Sequence, residues 1–293
     1  MKFFIPLLFA VFSLGVLNAQ NSRNFWQEIP ESQMRLAPDA QRDLTPLKYR
    51  TFTLELEDLK QYLASAPMEG TPAANSSNLE LLFPLPDGSF MNFVIWESPA
   101  MHPELAKKHP DIKSFAGRNK KSGASISFDY GGLGFHGSIR TQKNTFYIDP
   151  FAKNQQRYYQ VYDVRDDVTD MPALSCGHTV DPVQHNEELL KNLKNDYPQL
   201  AARTTEDQVE LRTYILAMTN TGEYAENYYG SSKDLVLASF VTAINRLNQT
   251  YQRDIAVKFL LHPEEDKLIF TNSTFDPFPA PIVQLGRTIV DTG

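Results

Sequence analysis

Between residues 209 and 270 the spacing of apolar and polar positions changes twice. Residues 209–219 (VELRTYILAMT) are rich in β-branched and aromatic side chains with little alternation, which predicts a central strand covered on both faces. A polar stretch, TNTGEYAENYYG, reads as a turn. Leu237, Phe240, Val241, Ile244, Leu247 and Tyr251 then recur at the spacing of one helical face. Ser231, with Asp234 three residues on, resembles a capping box and sets the expected helix start. Residues 255–262 and 267–270 flank the polar break Pro263-Glu264-Glu265-Asp266, a pattern that predicts a hairpin. Strand, helix, strand is the opening of an α/β domain, whose sheet must be covered on both faces.

Upstream, the pattern is one of short alternating runs. Residues 20–50 carry scattered prolines and predict an irregular leader with one short helix at most. Residues 51–59 alternate as a half-buried strand, and 58–66 can turn helical. LELLFPLPDGSFMNFVIWES predicts two strands around a tight turn at Asp87-Gly88. ASISFDY, GFHGSIR, NTFYIDP and YYQVYDV continue the series, so residues 50–165 predict an antiparallel β-rich module. Gly131, Gly132 and Gly134 lead into another strand rather than a helix, which makes them turn glycines and not a phosphate loop. Periodicity is lost over residues 165–181, 184–200 read as polar and partly helical, and 201–208 as an exposed linker.

Composition narrows the class. Hydrophobic residues make up 42% of the 293, enough to build real cores. With 28 Lys and Arg against 35 Asp and Glu, the net charge of -7 argues against a nucleic-acid partner and offers no basic face to anionic lipid. Residues 1–19 have Lys2 as their only charge, an apolar run and Ala19 before polar Gln20, the outline of a secretory signal peptide. The mature protein is therefore expected to be secreted, with no membrane association after signal cleavage. Cys176 is the single cysteine, which excludes an internal disulfide. On its chemistry alone that thiol is either a small buried apolar side chain or a soft metal ligand.

The usual catalytic patterns are absent. The histidines stand at 102, 109, 136, 178, 185 and 262, none of them four residues from another, so no helical turn can present two imidazoles and a glutamate to zinc. Each reads as a solvated or core residue. There is no Gly-x-Ser-x-Gly elbow. Asp291-Thr292-Gly293 resembles the triplet of pepsin-like aspartic proteases, but two carboxylates are required and one copy is present. A nucleotide-binding α/β protein would need a glycine fingerprint after its first strand, where TNTGEYAENYYG has none.

LRTYILAMTNTGEYAENYYG, LVLASFVTAINRLNQTYQRDIAVKFLL and KLIFTNSTFDPF resemble the opening of the catalytic domain of secreted bacterial reprolysin-like zinc metalloproteases, members of the metzincin group. GLGFHGSIRTQKNTFYIDPF and RYYQVYDVRDD are similar to that family's β-rich propeptide. The resemblance implies an α+β chain: a signal peptide over 1–19, an antiparallel β-rich propeptide-like domain with its linker over 20–205, and the first β-α-β part of a metzincin-type catalytic domain over 206–293. It further implies a zymogen that acts on protein or peptide substrates with Zn²⁺ in its full-length form, with Cys176 as the candidate inhibitory zinc ligand. The family's His-Glu-x-x-His-x-x-Gly-x-x-His is not in these residues, so the chain is expected to be a truncated, inactive portion. The alternative is a non-enzymatic secreted binding or inhibitory protein built on the β module.

Overall fold

A computed structural model describes residues 22–167, apart from Asp39, Asp43 and Asn154, and residues 210–278. The expected signal peptide, the aperiodic segment with Cys176, the linker and Asp291-Thr292-Gly293 lie outside the described residues.

Among the described residues the first part is a nine-stranded antiparallel sheet. Its strands are β1 (Trp26–Glu28), β2 (Arg50–Leu54), β3 (Glu80–Pro84), β4 (Phe90–Glu97), β5 (Lys113–Arg118), β6 (Ser125–Gly131), β7 (Gly134–Arg140), β8 (Thr145–Pro150) and β9 (Tyr158–Asp163). The spatial order is β1-β2-β9-β8-β7-β6-β5-β4-β3. Hairpins join β3 through β9 in sequence, and β2 closes back onto β9. The expected strand over 51–59 is shorter than its alternation suggests, because Leu56, Leu59 and Leu63 share one face of helix α1 (Leu56–Leu63) and cover the sheet. Two short helices, α2 (Pro72–Asn75) and α3 (Pro103–Lys108), fill connections.

Alternation divides the sheet into two faces. One carries Phe52, Phe93, Phe115, Phe128, Phe135, Ile148 and Tyr159, which with α1 form the main core. Phe115 and Phe128 stack with ring centroids 5.1 Å apart, and Phe128 and Phe135 at 5.4 Å. The other face carries Ser127, Asp129, His136, Ser138, Tyr147, Asp149 and Gln160, placed in rows by the strand register.

The second part contains β10 (Arg212–Leu216), helix α4 (Gly222–Tyr229), helix α5 (Lys233–Ile255) and β11 (Val257–Leu261). β10 and β11 are parallel neighbours joined through the two helices. The stretch expected to be a turn is therefore a helix: the Thr221 side chain accepts from the Tyr224 amide at its start, and Gly230 ends it in the left-handed region. Ser231 also has a positive φ, and Ser232 caps α5 by accepting from Leu235, one residue later than the sequence suggests. Gly222 admits no side chain, since a Cβ there would lie 2.1 Å from the backbone of Asn272 and Ser273.

Two further expectations are corrected. The strand near 209–219 is not covered on both faces: Tyr214 and Ile215, neighbours that point to opposite faces, are each 49% exposed, and β11 is its sole strand partner among the described residues. Residues 267–270 form no strand, since Glu265–Lys267 is a 3-10 turn and β11 pairs with β10 instead of a hairpin partner. The far edge of β11 is met by Ala100–His102, where the Leu261 amide donates to the Ala100 carbonyl at 2.8 Å.

Phe135→Ala should lower stability by about 3–5 kcal/mol, whereas Tyr214→Ala on the exposed strand should change it by about 0.5 kcal/mol or less. Urea unfolding of both variants checks the contrast.

Candidate functional site: the polar sheet face beneath the long helix

The face of α5 opposite its apolar stripe is polar at the same helical spacing. Thr242, Asn245, Arg246 and Gln249 stand at i, i+3, i+4 and i+7 and point onto the polar face of the sheet. The Thr242 hydroxyl donates to Asp129 Oδ2 at 2.6 Å, and Asn245 Nδ2 donates to Asp129 Oδ1 at 3.2 Å. Arg246 pairs with Asp149, whose second oxygen accepts from the Tyr162 hydroxyl at 2.8 Å. Ser138 and Gln249 exchange hydrogen bonds, with Ser138 Oγ donating to Gln249 Oε1 at 2.7 Å and Gln249 Nε2 donating to the Ser138 carbonyl at 3.0 Å. Arg140 Nη2 donates to the Thr250 hydroxyl at 2.8 Å.

These strands look half-exposed by alternation, yet Asp129, Asp149 and Gln160 are buried. Burying such groups is tolerable only when each finds a partner, and the helix supplies partners to both carboxylates. Burial pushes the Asp129 carboxyl above its ordinary value. Burial also holds His136 below the usual imidazole range, against the pull of Asp149 and Asp129 on either side. Arg246, with burial working against its charge, is held protonated by Asp149, and the guanidinium carbon lies 4.1 Å from the centre of the Tyr147 ring.

A second tie joins β11 to the loops of the sheet. The buried Lys258 ammonium pairs with Glu69 and donates to Ser98 Oγ at 3.2 Å. At the other end of this part, Glu265 is fully buried; its Oε1 accepts from the Met218 amide at 2.8 Å, and its Oε2 has no partner among the described residues. Burial raises its carboxyl to about 7.

The histidines weighed as ligands are dispersed. His102 caps α3, His109 faces Asp234 at 3.3 Å, His262 accepts from the Glu264 amide, and His136 lies under α5; His178 and His185 lie outside the described residues. Cys176, the candidate inhibitory ligand, is also outside them. Among the described residues no three His, Cys, Asp or Glu side chains converge to hold a metal ion. The polar face of the sheet and the polar face of α5 were missed by the sequence reading, although Ser127 and Asp129, His136 and Ser138, and Tyr147 and Asp149 alternate at period 2 within their strands and Thr242, Asn245, Arg246 and Gln249 stand at helical period.

With that contact described, the identity of its helical side becomes informative. Residues 210–284 match the Metallo-peptidase family M12B Reprolysin-like. This supports a metallopeptidase-related domain over that part of the chain, and α5 belongs to it. Among curated proteins none matches the chain. No helix among the described residues is long and apolar enough to cross a membrane.

Two measurements follow from the geometry. Asp149→Ala leaves the Arg246 guanidinium without its partner and should cost about 3–5 kcal/mol; a double-mutant cycle with Arg246→Met should return a coupling of roughly 0.5–3 kcal/mol. Glu265 should make the protein less stable as pH rises, because between about 4.5 and about 7 the native state keeps a proton that the unfolded chain has released. Melting temperature should fall across that window more steeply in the native chain than in Glu265→Gln.

Proposed function

We propose that this chain is the precursor part of a secreted zinc-dependent metalloendopeptidase, with residues 20–205 as its propeptide and 206–293 as the N-terminal portion of its catalytic domain. One observation carries the reading. The long helix of the reprolysin-like segment is seated on the preceding β module through a seam of hydrogen bonds and an ion pair, beside an apolar cluster that both parts share. Contacts between domains that must later part are characteristically polar, whereas permanent ones resemble a core cut in half. A propeptide has to hold its enzyme and then leave it, and the polar seam under α5 suits that behaviour, while the shared apolar cluster supplies the hold.

The residues present do not fit a catalytic zinc centre: the sequence contains no His-Glu-x-x-His, and the described residues bring no ligand set together. No catalytic step is therefore assigned to this chain. Its part is to be exported, to fold the β module against the reprolysin-like segment, and to keep the enzyme latent towards protein or peptide substrates until the connection near residues 168–209 is cut. Cys176 lies in that connection, where a thiolate could reach a zinc ion supplied by the full-length enzyme.

The gene tests the reading. Sequencing the transcript beyond the Gly293 codon should reveal an in-frame His-Glu-x-x-His-x-x-Gly-x-x-His segment; its absence from every frame contradicts the peptidase and points to a secreted binding protein. In the protein that carries this segment, Cys176→Ser should raise peptidase activity before maturation, and unaltered latency removes Cys176 from that role.

A further inference from the structure

Where the sheet meets α4 and α5, a cleft of about 350 Å³ opens between the two parts. Leu133 and His136 line it from the sheet, Tyr224 and Tyr228 from α4, and Ala243 and Arg246 from α5. The hydrogen-bond inventory of this cleft is one-sided. Both oxygens of Asp149 are taken, one by Arg246 and one by Tyr162. Arg246 uses one terminal nitrogen on Asp149; among the described residues its buried Nε and its other terminal nitrogen have no partner. Among the described residues the imidazole of His136 makes no hydrogen bond; its Nδ1 lies 3.9 Å from Asp129 Oδ2. At the rim, the Lys153 ammonium lies 5.2 Å from the centre of the Tyr228 ring.

A partly buried guanidinium whose buried Nε lacks an acceptor is strongly favourable when it meets an anionic one. The tyrosine and leucine walls favour an apolar or aromatic body, which is the usual make-up of a small-ligand site. We propose that this cleft binds a carboxylate carried on an aromatic body, with the carboxylate directed at Arg246 and His136 and the ring lying against Tyr224 and Tyr228. The ligand is either a free aromatic acid or the C-terminus of a peptide that ends in an aromatic residue. Because it touches both parts of the chain, it would hold them together. The proposal does not rest on the peptidase reading.

Isothermal titration of the intact chain with phenylacetate, with Gly-Gly-Phe, with the amide of that peptide and with phenethylamine tests it. One-to-one binding of an acid, at least tenfold tighter than of the amide and the amine, is the expected result. Tighter phenylacetate identifies a free acid, and tighter Gly-Gly-Phe a chain terminus. Ala243→Phe fills the cleft from an exposed helical position without touching the ion pair, and should abolish binding while circular dichroism stays unchanged. Arg246→Lys should weaken binding at least tenfold. Absence of heat with both acids, equal binding of the amine, or unchanged binding in Ala243→Phe overturns the proposal.

Discussion

The structure depends on how a polar sheet face is buried. Asp129 and Asp149 sit on neighbouring parts of one face, and no water-exposed arrangement is left to them once α5 lies across it. They are accommodated because the helix presents Thr242, Asn245 and Arg246 at the matching spacing. A purely apolar helix in the same place would strand two carboxylates in a low-dielectric layer, a cost far larger than the packing it could return. The seam therefore specifies its partner: position, rotation and identity of α5 are set together by hydrogen bonds that few other helices could complete.

That dependence is unequal between the two parts. The main core, from Trp26 to Val161, lies within the sheet module, almost all of it on the strands and α1. The core under α5 does not close by itself; Val236, Leu237, Val241 and Ile244 pack with Ala100, Met101, Leu105 and Ile112 from the sheet module as well as with Leu261. Strand β10 remains exposed, and β11 finds its second edge partner in Ala100–His102. The reprolysin-like segment thus borrows both apolar surface and backbone hydrogen bonds from the module that precedes it. The sheet module holds a core of its own, whereas the helix without that module keeps only part of its apolar cluster.

Much of the β module was legible because alternation at period 2 and the Asp87-Gly88 turn are local signals, and they returned β3, β4 and β6 to β9 nearly in place. The long helix was legible for the same reason, with its cap displaced by one residue at Ser232. What failed was everything set by a partner distant in sequence. Alternation reports that one face of a strand is polar, and the natural reading is that water covers it; only the tertiary fold shows that Thr242 to Thr250 cover it instead. An apolar run such as 209–219 is equally silent about coverage, so β10 looked central, and among the described residues it lies at an edge. The helix α4 was hidden by its polarity and by the glycines at its two ends, Gly222 and Gly230, which read as turn residues.

The central claim is that the polar face of the sheet holds the reprolysin-like helix, and amide hydrogen exchange with mass spectrometry of the intact chain tests it most directly. In the native chain, residues 233–255 should be protected together with strands 125–163. In Asp129→Ala, Asp149→Ala the helix should lose protection by at least tenfold while peptides from the main core, such as 50–63 and 81–95, keep theirs. If the helix remains as protected in that variant as in the native chain, the polar seam does not hold it and the account is wrong.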